Sequence, residues 1–302
     1  MIITPSKCIL FGEHAVVYGY RAISIPINIY SKINIYENNE NTIKINLNNL
    51  NKSIKLDYNL TFNDKDFSYV IKAIELFSEN YLDRLDKGFV LDIYSEIPIS
   101  CGLGSSASIT VGTIKALSKF FNVNLSNEEV AYLSYLVEKE VQGKASRTDT
   151  ATIALRKALE IKNNNIKEVP KRFNNFLKKC KFLILYVEER KKRTAELVTE
   201  VAKKENKEEI FKEIDNLVDI AYRTNDFEEF GNLLYRNHIL LDKLNISTPK
   251  INKVVEIANK YSYGAKLTGA GGGGCVIVLV DEDKKDILID KLREKVIKIF
   301  SV

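Results

Sequence analysis

The stretch PISCGLGSSASIT, residues 98–110, sets Gly102 and Gly104 among Ser100, Ser105, Ser106 and Ser108. Just upstream, GFVLDIYSEI (88–97) alternates as a strand should, and just downstream Ala107, Val111, Ile114, Leu117 and Phe121 line one face of a helix. A glycine-rich turn that leaves a strand and opens a helix lets backbone N–H groups and the helix dipole meet an anion, usually phosphate. Small residues there would equally make a tight turn and cap the helix, and the stretch by itself supports both readings. It also satisfies G-x-G-x-x-A, the dinucleotide fingerprint, through Gly102, Gly104 and Ala107. That fingerprint needs a second strand ending in an acidic residue, whereas SNEEVAYLSYLVEKEVQ (126–142) reads as another helix opened by a capping box. The Walker pattern fails as well, because no Gly-Lys-Ser/Thr closes the loop. Phosphate remains; a nicotinamide dinucleotide is not favoured.

Around this turn the chain reads as strands at 2–11 and 22–37, separated by the turn-like GEHAVVYGYR, then a short strand TIKINL and a helix FSYVIKAIELFSENYL. A basic connector, IKNNNIKEVPKRFNNFLKK, precedes the strand-like KFLILYVEE, and a domain boundary is expected near residue 175, giving domains 1–175 and 176–302. Three or four helical segments follow between about 194 and 262. The chain closes with GAKLTGAGGGGCVIVLV, a charged helix and a last strand VIKIF. This irregular alternation favours α+β layering over a regular parallel sheet.

At 302 residues, 45% hydrophobic and 28% charged, the chain has the profile of a globular protein with a substantial core. A formal charge of +5 is small for this length and does not argue for nucleic acid or an anionic membrane surface. Cys8, Cys101, Cys180 and Cys275 are scattered without metal-ligand spacing and read as free thiols of a reducing compartment. The N-terminal MIITPSKCIL lacks the features of a signal peptide, and no window has the apolar length of a membrane span, so a cytoplasmic location is expected.

Three further stretches carry chemistry. In TGAGGGG (268–274), five glycines have a large ordering cost unless something must approach the backbone closely. In EKEVQGKASRTDT (138–150), a helix carrying Glu138 ends near Gly143 and Asp149 follows on a short polar loop. Phosphoryl transfer needs a carboxylate or hydroxyl to help hold Mg2+, a base for the acceptor hydroxyl and positive charge near the moving phosphate. Glu138, Ser106, Asp149 and Lys7 could supply these, although spacing alone also allows Glu138 as a solvated helix residue and Asp149 as a turn residue. In PSKCILFGEHAVVYG (5–19), Lys7 must snorkel or find an anion in its apolar strand, and Glu13 and His14 stand at a turn. His238, on an expected helix, reads as structural or surface.

Taken together and in this order, PSKCILFGEHAVVYG, PISCGLGSSAS and KLTGAGGGGC resemble the three motifs of the GHMP kinases, over residues 4–275. The turn GEHAVVYG and the stretch QGKASRTDT are similar to the branch of that superfamily that phosphorylates mevalonate, in its archaeal form. The resemblance implies a two-domain α+β fold, with a ribosomal-protein-S5-like N-terminal domain and a ferredoxin-like C-terminal domain. It implies ATP-dependent phosphorylation of the primary hydroxyl of (R)-mevalonate to 5-phosphomevalonate, a step of isoprenoid biosynthesis. ATP phosphates would be wrapped by Pro98, Ile99, Ser100, Cys101, Gly102, Leu103, Gly104, Ser105, Ser106, Ala107 and Ser108. Asp149 would accept the hydroxyl proton, with Lys7 against it and the transferring phosphate. Ser106 and Glu138 would hold Mg2+; Glu13, His14 and Thr194 would bind the substrate; Gly269, Gly271 and Gly272 would form the second glycine loop. The family allows a homodimer and implies neither nucleic acid nor membrane as partner. Arg147 departs from the small or apolar residue usual at its position and is expected to modulate substrate affinity. The run RKKR (190–193) is expected to be solvated or to attract anionic ligands. Rival readings are a kinase of another small acceptor, such as homoserine or phosphomevalonate, and a non-catalytic sensor that kept the fold; a sensor has no use for a base such as Asp149.

Overall fold

The computed structural model describes residues 1–62, 64–143, 145–163, 165–192 and 194–302. The chain forms two compact units that interleave along the sequence. One comprises residues 1–6, 29–98 and 104–156, the other 7–28, 99–103 and 157–302.

In the first unit, alternation in β1 (Ile2–Phe11, residues 2–6 here), β2 (Ala22–Glu37, from residue 29), β3 (Ile43–Leu47), β4 (Lys52–Leu56) and β5 (Phe89–Ser95) builds a sheet. β5 pairs antiparallel with β2, Ser31 opposite Ser95, and parallel with β3, which returns as a hairpin with β4. Four helices, α1 (Ser68–Tyr81), α2 (Ser105–Phe120), α3 (Asn127–Gln142) and α4 (Arg147–Leu155), pack on one another. Their apolar stripes join Ile33, Ile45, Leu91 and Ile93 of the sheet in one core through Ile74, Val111, Ile114, Val130 and Ile153. Burying each such side chain contributes roughly 1.5–3 kcal/mol. The expected capping box is formed: Ser126 Oγ accepts from the Glu129 N–H, and Glu129 reaches back to the Ser126 N–H. Gly112 lets α2 lie directly on β2, since a Cβ there would stand 2.2 Å from Ile33 Cδ1.

The second unit begins with Lys7 of β1 and the first half of β2, which pairs with β6 (Leu159–Lys162); β6 in turn pairs with β7 (Asn165–Glu168). After α5 (Lys171–Leu177) comes β8 (Phe182–Glu188), then α6 (Thr194–Ala202), α7 (Lys207–Ala221), α8 (Phe227–Lys243), α9 (Pro249–Lys260), β9 (Gly264–Thr268), β10 (Gly274–Leu279), α10 (Lys285–Leu292) and β11 (Lys298–Ser301). The four late strands form an antiparallel sheet in the order β11-β8-β10-β9. β9 and β10 are buried along their whole length, Lys266 and Thr268 of β9 included. No helix among the described residues is long and apolar enough to cross a membrane.

Candidate active site

In the first unit, α2 begins immediately after the glycine-serine turn. Its N-cap is Gly104 at φ 76°, which supplies no side-chain cap to the first-turn N–H groups. A helix start of that kind presents backbone donors and the positive end of the dipole to an anion. Ser106, in this first turn, donates to Glu138 Oε1 of α3 at 2.8 Å, and Glu138 is only 5% exposed. Two expected residues, 32 apart in sequence, are thus brought together. Tyr69 of α1, which sequence reasoning missed, faces the same pair; burial and then the Glu138 charge push its phenol upward from the ordinary range. Nothing local in FSYVIK signals this contact, which exists only once α1 packs on α2 and α3.

Asp149 lies in the first turn of α4, not on a loop as expected. Ser146 caps that helix by accepting the Thr148 N–H at 3.1 Å. Three threonines in RTDTATIAL give weak helix propensity, so the helix was not legible from pattern alone. Arg147, at the first helical position, places its guanidinium over the Tyr132 ring, 5.7 Å from the centroid. Lys144 of the same motif lies outside the described residues.

In the second unit, Lys7 is buried in β1 and its Nζ donates to the Gly102 carbonyl at 3.0 Å, while its backbone N–H donates to the Leu103 carbonyl. Lys7 is thereby tied to the backbone of the glycine-serine turn. The two glycine stretches meet here. A Cβ on Gly269 (φ 84°) would stand 3.0 Å from Gly102 Cα, one on Gly274 (φ 95°) 2.7 Å from the Cys101 carbonyl, and one on Gly271 (φ 85°) 2.2 Å from the Ile246 carbonyl. The close approach that the glycine run required is therefore made by protein backbone, which is a reason for glycine independent of any ligand. Gly272 (φ 68°) packs against Leu197 and accepts the Lys191 N–H through its carbonyl.

Glu13 and His14 are both buried. Glu13 forms an ion pair with Lys266 of β9 and accepts from Asn237 Nδ2 at 3.3 Å. The His14 Nε2 lies 2.8 Å from the Ala270 carbonyl of the glycine loop, and burial pushes its imidazole below the ordinary value. A carbonyl only accepts, so Nε2 carries the hydrogen of the neutral ring. Among the described residues His14 Nδ1 has no hydrogen-bond partner. Burial likewise pushes the Lys266 ammonium down, opposed by Glu13. Lys266 and Asn237 were not anticipated. A lysine inside the apolar strand GAKLT was the available signal, by the same logic that singled out Lys7.

Thr194 opens α6 and is exposed; it accepts from Arg190 at 2.8 Å, and Arg190 Nε donates to the Ser100 carbonyl at 3.0 Å. The first residue of the basic run thus braces the glycine-serine turn, while Lys192 pairs with Glu200. Arg193 lies outside the described residues. The Cys101 and Cys275 thiols are hydrogen-bonded neighbours. That contact lowers Cys101, whereas burial raises Cys275. No group of three or more His, Cys, Asp or Glu side chains fit to hold a metal occurs among the described residues.

Comparison with known proteins places the chain in a family. Residues 68–157 match the family model of the GHMP kinase N-terminal domain and residues 210–298 that of the GHMP kinase C-terminal domain. The chain is 56% identical to mevalonate kinase of Methanocaldococcus jannaschii, covering 100% of this chain and 98% of that one. It is 33% identical to mevalonate kinase of Thermococcus onnurineus, covering 94% and 90%. The crystal structure of the Methanococcus jannaschii mevalonate kinase superposes with a TM-score of 0.95 over 99% of this chain and 96% of the other. The chain belongs to the GHMP kinases and, within them, to the mevalonate kinases.

Proposed function

We propose that this chain carries out its family's reaction, transfer of a phosphoryl group from ATP to the primary hydroxyl of mevalonate, through Asp149, Lys7, Ser106 and Glu138 as the working groups. Asp149 takes the hydroxyl proton as the oxygen attacks phosphorus, so that the alcohol oxygen ends in a phosphate ester and ADP departs with the former bridging oxygen. The first-turn N–H groups of α2 and the serines of 100–108 hold the ATP phosphates. Lys7 supplies fixed positive charge at the phosphate loop, to which its Gly102 contact ties it. His14 and Thr194 contact the acceptor.

The observation that carries the reading is the Ser106–Glu138 pair at the start of α2. One hydroxyl and one carboxylate fit Mg2+, which keeps several waters and phosphate oxygens and is rarely caged by protein alone. Mg2+ held by Ser106 and Glu138 would neutralise phosphate charge. Glu13 serves the site by holding its turn, since Lys266 and Asn237 already occupy its carboxylate. Four buried free thiols support a reducing, cytoplasmic setting.

The test is Asp149→Asn. Loss of a general base lowers kcat by about 10²–10⁴-fold, with ATP affinity by calorimetry unchanged. Wild-type turnover in that variant would remove Asp149 from the role.

A further inference from the structure

Lys266 enters above only as the partner of Glu13, yet its side chain is fully enclosed in β9. A buried ammonium persists only with a counter-charge and filled hydrogen bonds. Lys266 has its counter-charge and places two of its three donors, because Nζ donates to the Glu13 carboxylate and, at 3.2 Å, to the Ile9 carbonyl. The second Glu13 oxygen accepts from Asn237 Nδ2, which also reaches the Leu10 carbonyl at 3.3 Å. Two residues beyond Lys266, the Thr268 hydroxyl bonds both backbone groups of Ile9, accepting at 2.9 Å and donating at 3.0 Å. One network therefore fixes the end of β1, the turn after it, α8 and β9. Its exits are functional: Lys7 stands two residues before Ile9, His14 follows Glu13, and the glycine loop begins at Gly269.

We infer that Lys266 is a positioning residue for the acceptor side of the site, with Glu13 as its fixed counter-ion and not a ligand of the substrate. The inference rests on the kinase reading and deepens it. A Glu13 carboxylate turned toward an acceptor would leave Lys266 buried without its counter-charge. With the pair intact the two charges cancel. His14 is then presented by a turn that cannot shift without breaking the pair.

The experiment compares Lys266→Met with the double variant Glu13→Gln/Lys266→Met, in the full chain, with ATP and mevalonate. The single variant strands a carboxylate, displaces the turn and raises KM for mevalonate about tenfold or more, with KM for ATP changed less than about twofold. The double variant leaves no unpaired charge and returns KM for mevalonate to within about threefold of wild type. A double variant as impaired as the single would mean that the Glu13 carboxylate itself contacts the acceptor, and would overturn the inference. An equal rise in both KM values would reduce Lys266 to a folding role and overturn it too. Should the single variant prove insoluble, the double variant decides alone by the same threefold and tenfold marks. If the wild-type protein turns over a different acceptor, the substrate reading fails, and the same comparison run with that acceptor still tests Lys266.

Discussion

His14 and His238 are both held neutral by burial, and the second has a thermodynamic consequence. His238 accepts the Leu267 N–H at Nδ1, 3.3 Å away; burial first, and the Lys266 ammonium second, push it down to about 4. Its unfolded value is about 6.5. Above that pH the ring is neutral in both states and its contribution to stability is intact. As the pH falls toward 4 the unfolded chain takes the proton first, so stability is lost, by about 3 kcal/mol in full. Urea unfolding at pH 7 and pH 4.5 is expected to show this slope, and His238→Asn, which keeps an acceptor without the titration, to flatten it. An identical slope in the variant would contradict the account. The sequence reads His238 as structural or surface, and the ring lies buried. Lys7 was legible because a lysine in an apolar strand must find a partner, and Lys266 obeys the same rule. Tyr69 was not legible, because its neighbours Ser106 and Glu138 come from two other helices.

At the scale of elements, the glycine loop separates two meanings of glycine. Gly143 ends α3 at φ 78°, where an added Cβ would meet nothing within 4 Å among the described residues, whereas a Cβ added to Gly271 at φ 85° would stand 2.2 Å from the Ile246 carbonyl. Gly143→Ala is therefore expected to cost only the left-handed strain, about 1–2 kcal/mol. Gly271→Ala must in addition move backbone, and is expected to lower the melting temperature more and to reduce turnover. Equal losses by calorimetry would refute that distinction. Strong periodicity made β2, α1, the capping box of α3 and β8 readable. β4 escaped because KSIKL turns mostly polar residues to solvent. β6, β7 and α5 escaped because charged residues and asparagines dilute the buried hydrophobic residues of β6 and α5, Leu159, Ile161, Phe173, Phe176 and Leu177, and β7 buries none. The helix around Asp149 escaped because its threonines favour extended structure, although Ser146 marked its cap.

For the whole molecule, α+β layering was legible from the irregular order of strands and helices, and the two-domain kinase fold from three motifs spread over residues 4–275. What could not be read is the interleaving, in which residues 7–28 and 99–103 fold with 157–302. It arises because β1 and β2 are long enough for their two halves to join different units. This arrangement puts Lys7 and the 99–103 loop beside the late glycine loop, and leaves Ser106, Glu138 and Asp149 on helices of the other unit. The central claim is that these groups serve phosphorylation of mevalonate. The most direct test is ADP release by the purified protein with ATP and Mg2+, offered mevalonate and, separately, homoserine, galactose and phosphomevalonate. Release with mevalonate alone is the predicted result; turnover of another acceptor in its place, or none with any of them, would contradict it.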